Sequence, residues 1–275
     1  MGSYRDLEGD LRGKSNVKIL ILDTGNIQFL YQNEQLLPKA KMFEAYDMVL
    51  IPSWIYAEYE HHSGKVEYVS SIPSSVYFVD ESEDYLPLSG FKENMLFNLF
   101  RIAAPFSESQ KFFNRYKSVD MDDLPEDWIK LYYEHGFFTR VTDTKTTKKN
   151  AGEVSILTLA FLLLNHYPSE ISNISIATSD YGVNRLKNKV LRDAPGLNLS
   201  FAPPLSFLSK DVILFQAIKS GIILPDIITS LRTNPKTTNF VEHFSDGSST
   251  IHETVLETPD FIEMCSEPDR YTILF

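Results

Sequence analysis

The chain has 275 residues, 43% of them hydrophobic and 13% aromatic, enough to bury one sizeable core and a smaller appended unit. A formal net charge of −11 argues against a generally basic nucleic-acid binder, and a single cysteine, Cys265, excludes an internal disulfide and a cysteine-based zinc cluster; a reducing, cytoplasmic setting fits. Residues 1–15 form a polar segment with no apolar stretch of signal-peptide length, and the longest apolar run, Ile156 to Leu164 broken by Thr158, is far short of the roughly 20 residues a bilayer needs, so no membrane partner is expected.

In chain order, Val17 to Leu22 and Asp47 to Ile51 are short apolar runs bounded by charge, which predicts parallel strands covered on both faces, each followed by a helical pattern. Val66 to Ser70 and Val76 to Val79 read as extended, and Asp80 to Pro87 as an acidic loop. Helices are expected at about 91–104, 107–117 and 125–135; the polar Thr142 to Lys149 reads as a loop before a helix that ends near His166. A strand at Ile174 to Thr178, a helix at about 182–192, a strand at Leu197 to Phe201 and a helix at about 205–219 follow, and beyond Asn234 periodicity fades. The alternation predicts an α/β fold with a central parallel sheet over residues 16–205, a mainly helical insertion at about 63–147, and residues 206–275 as a helical C-terminal extension with a polar acidic tail.

Four acids stand out: Asp23 at the end of the first strand, Glu58 within the helix that follows the second, Glu153 opening the long apolar helix, and Asp180 just after Ile174 to Ser179. Singly, each of three has an ordinary reading. Asp23 and Asp180 have the composition of helix N-caps, and Glu153 stands three residues after Asn150 as in a capping box. Glu58 differs, because its neighbours Trp54, Ile55 and Tyr59 are apolar and an ionised carboxylate turned to a core is costly without a partner. Jointly, a parallel sheet gathers all four at the carboxyl edge of its strands, where α/β folds bind ligands. Two carboxylates about 4 Å apart repel by roughly 4 kcal/mol at an effective dielectric near 20. Oxygen-seeking Mg²⁺ or Mn²⁺ would relieve that repulsion and supply a nucleophilic water.

Charge is unevenly spread. Residues 80–127 and residues 193–275 each carry eleven acids against five bases, whereas residues 140–192 carry eight bases against four acids, a local +4 around Glu153 and Asp180. Lys145, Lys148 and Lys149 precede the Glu153 helix; Arg185 and Lys189, four apart, share a face of the helix after Asp180. A phosphodiester backbone is the substrate that such a rim would hold. The aromatic run Phe112 to Tyr116 is expected in the core, and the adjacent His61 and His62 in solvent.

The runs Ile19-Leu-Ile-Leu-Asp23-Thr-Gly-Asn26, Leu50 to Glu58, Gly152-Glu153 to Ala160 and Ile176-Ala-Thr178-Ser-Asp180 resemble, in that order, the four acidic motifs of the PIN-domain ribonuclease family. The resemblance spans about residues 17–62 and 148–205. It implies an α/β/α sandwich and metal-dependent endoribonuclease activity, with Asp23, Glu58, Glu153 and Asp180 holding Mg²⁺ or Mn²⁺ and with Asn26 and Thr178 as polar neighbours on the substrate side. The implied substrate is RNA, with DNA as the alternative. The contrasting expectation is a PIN-like interaction module without catalysis, recruiting a protein through the acidic insertion or tail; a homodimer is a further arrangement the sequence leaves open.

Overall fold

The computed structural model describes residues 4–117, 119–120, 123–141, 146–194, 196–197, 199 and 203–275. Helix α1 (Tyr4–Leu11) precedes β1 (Val17–Leu22); α2 (Thr24–Gln32) and α3 (Lys39–Met42) lead to β2 (Met48–Pro52), which turns directly into α4 (Ser53–Tyr59) and then α5 (Ser63–Ser70) and β3 (Ser75–Val79). The insertion holds α6 (Tyr85–Leu88), α7 (Glu93–Ala103), α8 (Ser107–Arg115), α9 (Trp128–His135) and a hairpin of β4 (Thr139–Val141) with β5 (Thr146–Lys148). Then come α10 (Ala151–His166), β6 (Ile171–Ala177), α11 (Tyr181–Asp193) and β7 (Leu205–Phe207). The C-terminal part consists of α12 (Lys210–Lys219), α13 (Ile228–Leu231), β8 (Lys236–His243), β9 (Ser249–Leu256), α14 (Thr258–Ser266) and β10 (Tyr271–Ile273).

The central sheet is five-stranded and parallel throughout, in the order β3-β2-β1-β6-β7, with helices around it. From β1 the chain winds outward through β2 to β3, then returns to the other side of β1 with β6 and β7. The strand order therefore reverses between β1 and β6, and the crevice beyond the carboxyl ends of such a pair is where open α/β sheets bind ligands. Leu22 pairs with Ala177 at that edge, so Asp23 and Thr178 leave the sheet side by side. Helix α10 is buried at every position from Ala151 to Leu164 except Glu153, which makes it the central helix of the domain. The insertion packs as an aromatic cluster: Trp54 lies 5.8 Å from Phe100, Phe100 lies 5.7 Å from Trp128, and Phe113 lies 4.6 Å from Tyr132. Phe112 and Phe113 are buried, as their helical spacing predicts. Among the described residues, no helix is long and apolar enough to cross a membrane.

Several local expectations are corrected. Residues 66–70 are helical: Tyr68, Val69 and Ile72 are the buried positions, a spacing that one face of a helix satisfies and alternation does not. The acidic stretch after β3 is not a solvated loop, because Glu81 is fully buried and α6 begins at Tyr85. Part of the polar segment before α10 forms the β4–β5 hairpin; its residues 142–145, Lys145 included, lie outside the described residues. The fifth strand of the central sheet is β7; of the strand expected at 197–201, Asn198, Ser200 and Phe201 lie outside the described residues. Ser209 caps α12 by accepting a bond from the Val212 amide at 3.3 Å, so the helix expected from 205 starts at Lys210.

The two ends of the chain are also more ordered than their composition suggests. Within the N-terminal polar segment, α1 buries Leu7 and Leu11 and hydrogen-bonds the sheet through Asp10 and Tyr77. The region read as a polar tail folds into an antiparallel sheet in the order β10-β8-β9, together with α14. Buried Asp211 of α12 joins this unit to the rest, accepting from the Arg232 guanidinium at 3.2 Å and from Thr238 Oγ1 at 3.0 Å.

Candidate functional site

Asp23 follows β1 with its amide bonded to the Ala177 carbonyl at 3.0 Å, so the β1–β6 pairing itself sets its place. Although it stands at the N-cap of α2, its side chain makes no cap bond; the Thr178 hydroxyl donates to Asp23 Oδ2 at 3.1 Å instead. The Thr178 oxygen in turn accepts from the Asp180 amide at 3.1 Å, so one hydroxyl joins the two acids that leave neighbouring strands. Asp180 does cap α11, accepting from the Gly182 amide at 2.6 Å, and its side chain remains exposed. The capping reading thus holds for Asp180 and fails for Asp23. It fails for the Glu153 helix as well: Asn150 adopts a left-handed conformation with φ 65° and makes no side-chain cap bond.

Glu58 is half-buried at the crevice and does not point into the core; the side chains that α4 buries are Trp54, Ile55 and Tyr59. It faces the start of α10 across Gly152. A Cβ at Gly152 would stand 2.4 Å from Ile55 Cδ1 and 3.4 Å from Glu58 Oε1. Gly152 leaves this space to the Ile55 and Glu58 side chains, and a larger residue there would require Ile55 to shift.

Asp23 and Glu153 sense the charges of neighbouring acids. Burial, then the charge of Glu58, and to a lesser extent that of Asp180, push Asp23 up to about 6 against the opposing bonds from Thr178 and Thr24. Glu153 is pushed up to about 7 by burial, with Asp23, Asp180 and Glu58 adding to the rise. Carboxylates are therefore concentrated at this edge, and hard oxygen donors of this kind suit Mg²⁺ or Mn²⁺. As the side chains stand, however, no group of three or more His, Cys, Asp or Glu among the described residues is gathered into a set that could hold a metal ion. The donor chemistry suits a divalent cation, and a coordination shell would require the carboxylates to turn toward one point.

The other expected site residues divide into two groups. Asn26 is fully buried and satisfied at both ends of its amide: Nδ2 donates to the Leu208 carbonyl at 2.8 Å and Oδ1 accepts from Ser179 at 3.0 Å, so it ties the loops after β6 and β7 together. Lys148 is committed to the hairpin, its ammonium donating to the Glu134 carbonyl at 2.6 Å and to Thr139 Oγ1 at 2.9 Å. Lys149 is exposed. Arg185 is exposed one turn past the Asp180 cap, over the Tyr181 ring at 5.3 Å, whereas the charge of Lys189, a turn further on, is felt at Asp193.

Sequence reasoning missed Glu81 and Tyr133. The Glu81 carboxylate accepts from the Trp54 amide at 3.0 Å and from the Ser155 hydroxyl at 2.6 Å, linking the start of α4 to α10; its second oxygen has no partner, and burial raises it to about 8. Tyr133 of α9 is half-buried and raised by burial and then by the charges of Glu58 and Glu81, which places it near both. Neither carried a readable signal: Glu81 lies within a run of acids and Tyr133 within an aromatic helix. No family model, curated protein or solved structure matches the chain. The fold and the carboxylate edge define the class of protein as an α/β protein with a parallel sheet and an acidic switch-point crevice.

Proposed function

We propose that this protein is a divalent-metal-dependent endoribonuclease with a PIN-like α/β/α domain, in which Asp23, Glu58, Glu153 and Asp180 hold Mg²⁺ or Mn²⁺. One observation supports this above all: carboxylates from four separate elements share one edge of the sheet, where Asp23 feels the charges of Glu58 and Asp180, and Glu153 those of Asp23, Asp180 and Glu58. Carboxylates crowded at one edge and partly withdrawn from water cost stability, and a function that requires their charge is the reason to keep them. When bound, the ion would acidify a water and offset the charge that builds on the phosphate oxygens. Thr178 fixes the rotamer of Asp23 and the backbone of Asp180, Gly182 orients Asp180, and Gly152 leaves space to the Glu58 side chain. Lys149 and Arg185 are exposed cations available to the RNA backbone, and DNA is the alternative polymer.

A second reading, a PIN-like interaction module without catalysis, draws on the absence of a gathered metal-binding set among the described residues. Incubating the protein with mixed-sequence RNA in Mn²⁺, with and without chelator, separates the two. Cleavage that needs the ion and disappears in Asp23→Asn supports the nuclease. Full activity in EDTA, or no cleavage under any condition, sinks it.

A further inference from the structure

Beside Asp180 the fold encloses a cleft of about 450 Å³, within the size range of sites for small molecules. Three cations from three different elements line it: Arg185 of α11, Lys210 of α12 and Lys236 of β8. Two acids line it as well, and of the three lining cations only Lys236 pairs with one of them. Asp211 is buried and its oxygens are bonded to the buried Arg232 guanidinium at 3.2 Å, leaving Lys236 at 3.7 Å as an outer partner. Glu253 is exposed on the edge strand β9. Counting Arg232 behind the wall, four cations face two carboxylates, and neither Arg185 nor Lys210 has a carboxylate partner among the described residues. Holding like charges around one cleft is unfavourable unless an anion joins them. Desolvation lowers the Lys236 ammonium against the opposing charge of Asp211, with the nearby charges of Lys210 and Arg232 adding to the fall.

The cleft also has an aromatic wall. The rings of Tyr181 and Phe275 lie 5.4 Å apart, and Asn239 donates to the Tyr181 hydroxyl at 3.1 Å, fixing the ring. Cations beside an aromatic surface are the combination that grips a nucleotide by its phosphate and its base. Ser179 and Tyr181, which line the cleft, flank Asp180 in the chain, so an occupant would lie next to the carboxylate edge.

We propose that this cleft is a nucleotide subsite, taking one nucleotide of an RNA strand with its phosphate against Arg185, Lys210 and Lys236 and its base along Tyr181 and Phe275, while the strand continues past Asp180. The choice of an RNA strand rests on the nuclease reading above. It gives the C-terminal β unit a purpose, since Lys236 and Phe275 reach the cleft only because that unit packs against α11 and α12.

The test is binding without cleavage: a short, labelled, mixed-sequence oligoribonucleotide is titrated in EDTA against wild type, Lys210→Glu and Lys236→Gln, with melting curves as the folding control. Wild type should bind, whereas Lys210→Glu and Lys236→Gln should each weaken binding by about tenfold and reduce the slope of log affinity against log salt by about one. Equal RNA affinity in folded Lys210→Glu and folded Lys236→Gln, or no binding by wild type, overturns the proposal. Adenosine monophosphate, added as a competitor, separates the two sources of the phosphate. If it binds as tightly as the RNA with the same losses, the RNA strand is overturned as the occupant. Cleavage in Mn²⁺ is the independent readout for the nuclease reading: RNA binding lost in the cleft variants together with absent wild-type cleavage sinks that reading and leaves the subsite standing.

Discussion

The Ser155 hydroxyl lies 2.6 Å from Glu81 Oε1, which makes a fully buried glutamate from the stretch after β3 the link between the two helices that carry Glu58 and Glu153. Because burial raises Glu81 to about 8, it enters the neutral range largely protonated. The unfolded chain releases that proton near 4.5, so over the window from about 4.5 to about 8 the folded state holds more protons than the unfolded state, and stability falls as pH rises. Glu81→Gln, which keeps an acceptor without the ionisable group, should flatten this slope and gain on the order of a few kcal/mol at the alkaline end. Urea titrations at acidic, neutral and mildly alkaline pH check it; an unchanged slope refutes the assignment.

Protons and divalent ions compete for the same oxygens at Asp23 and Glu153, raised to about 6 and about 7. Mn²⁺ should therefore raise the melting temperature strongly above about pH 7 and little below about pH 5, with protons released on binding. Differential scanning calorimetry with and without EDTA across this range reads the effect. A pH-independent shift would place the ion elsewhere.

Asp23 and Asp180 should respond differently to substitution, because only Asp180 closes a helix cap. Asp23→Asn removes a destabilised charge and should melt at or above wild type. Asp180→Ala should cost about 1 kcal/mol, and Asp180→Asn much less, since it retains a capping oxygen. All three should lose RNA cleavage. An active Asp23→Asn enzyme would remove that residue from the site.

Lys148 and Lys149 are adjacent yet should give opposite signatures. Lys148→Met removes the bonds to Glu134 and Thr139 and should lower stability by about 1 kcal/mol with KM little altered. Lys149→Glu, on an exposed side chain, should leave the melting temperature in place while raising KM for RNA and reducing its salt dependence. Steady-state kinetics at two ionic strengths alongside melting curves tell them apart.

Asp211 and Arg232 are both buried and directly bonded. Asp211→Ala strands the guanidinium and should cost about 3–5 kcal/mol, whereas Asp211→Leu combined with Arg232→Met should cost far less, because neither charge then remains. Chemical denaturation of the single and double variants measures the difference; equal losses would mean that the pair matters through its volume alone.

Local apolar stretches identified β1, β2, β3 and β6, because a strand covered by helices is rich in apolar residues and that bias is readable without any partner. The same strands fixed where Asp23 and Asp180 fall, and their order gave the parallel α/β class. Sequence also placed α7 to α11 to within a few residues, since their apolar faces recur at helical spacing. Lost to sequence was whatever depends on packing between segments far apart in the chain. Val66 to Ser70 is helical only because Tyr68, Val69 and Ile72 find one common surface, and the polar C-terminal stretch forms a sheet because β8 can pair on both edges, with β9 and β10. Among the acids, composition could not distinguish a cap from a buried group. Tertiary structure made Asp180 a cap, turned Asp23 toward Thr178, and buried Glu81 within a run of otherwise ordinary acids. The reason is physical: hydrophobic periodicity is written along the chain, whereas the electrostatic cost of a carboxylate is set by the water excluded around it and by the charges other segments bring near.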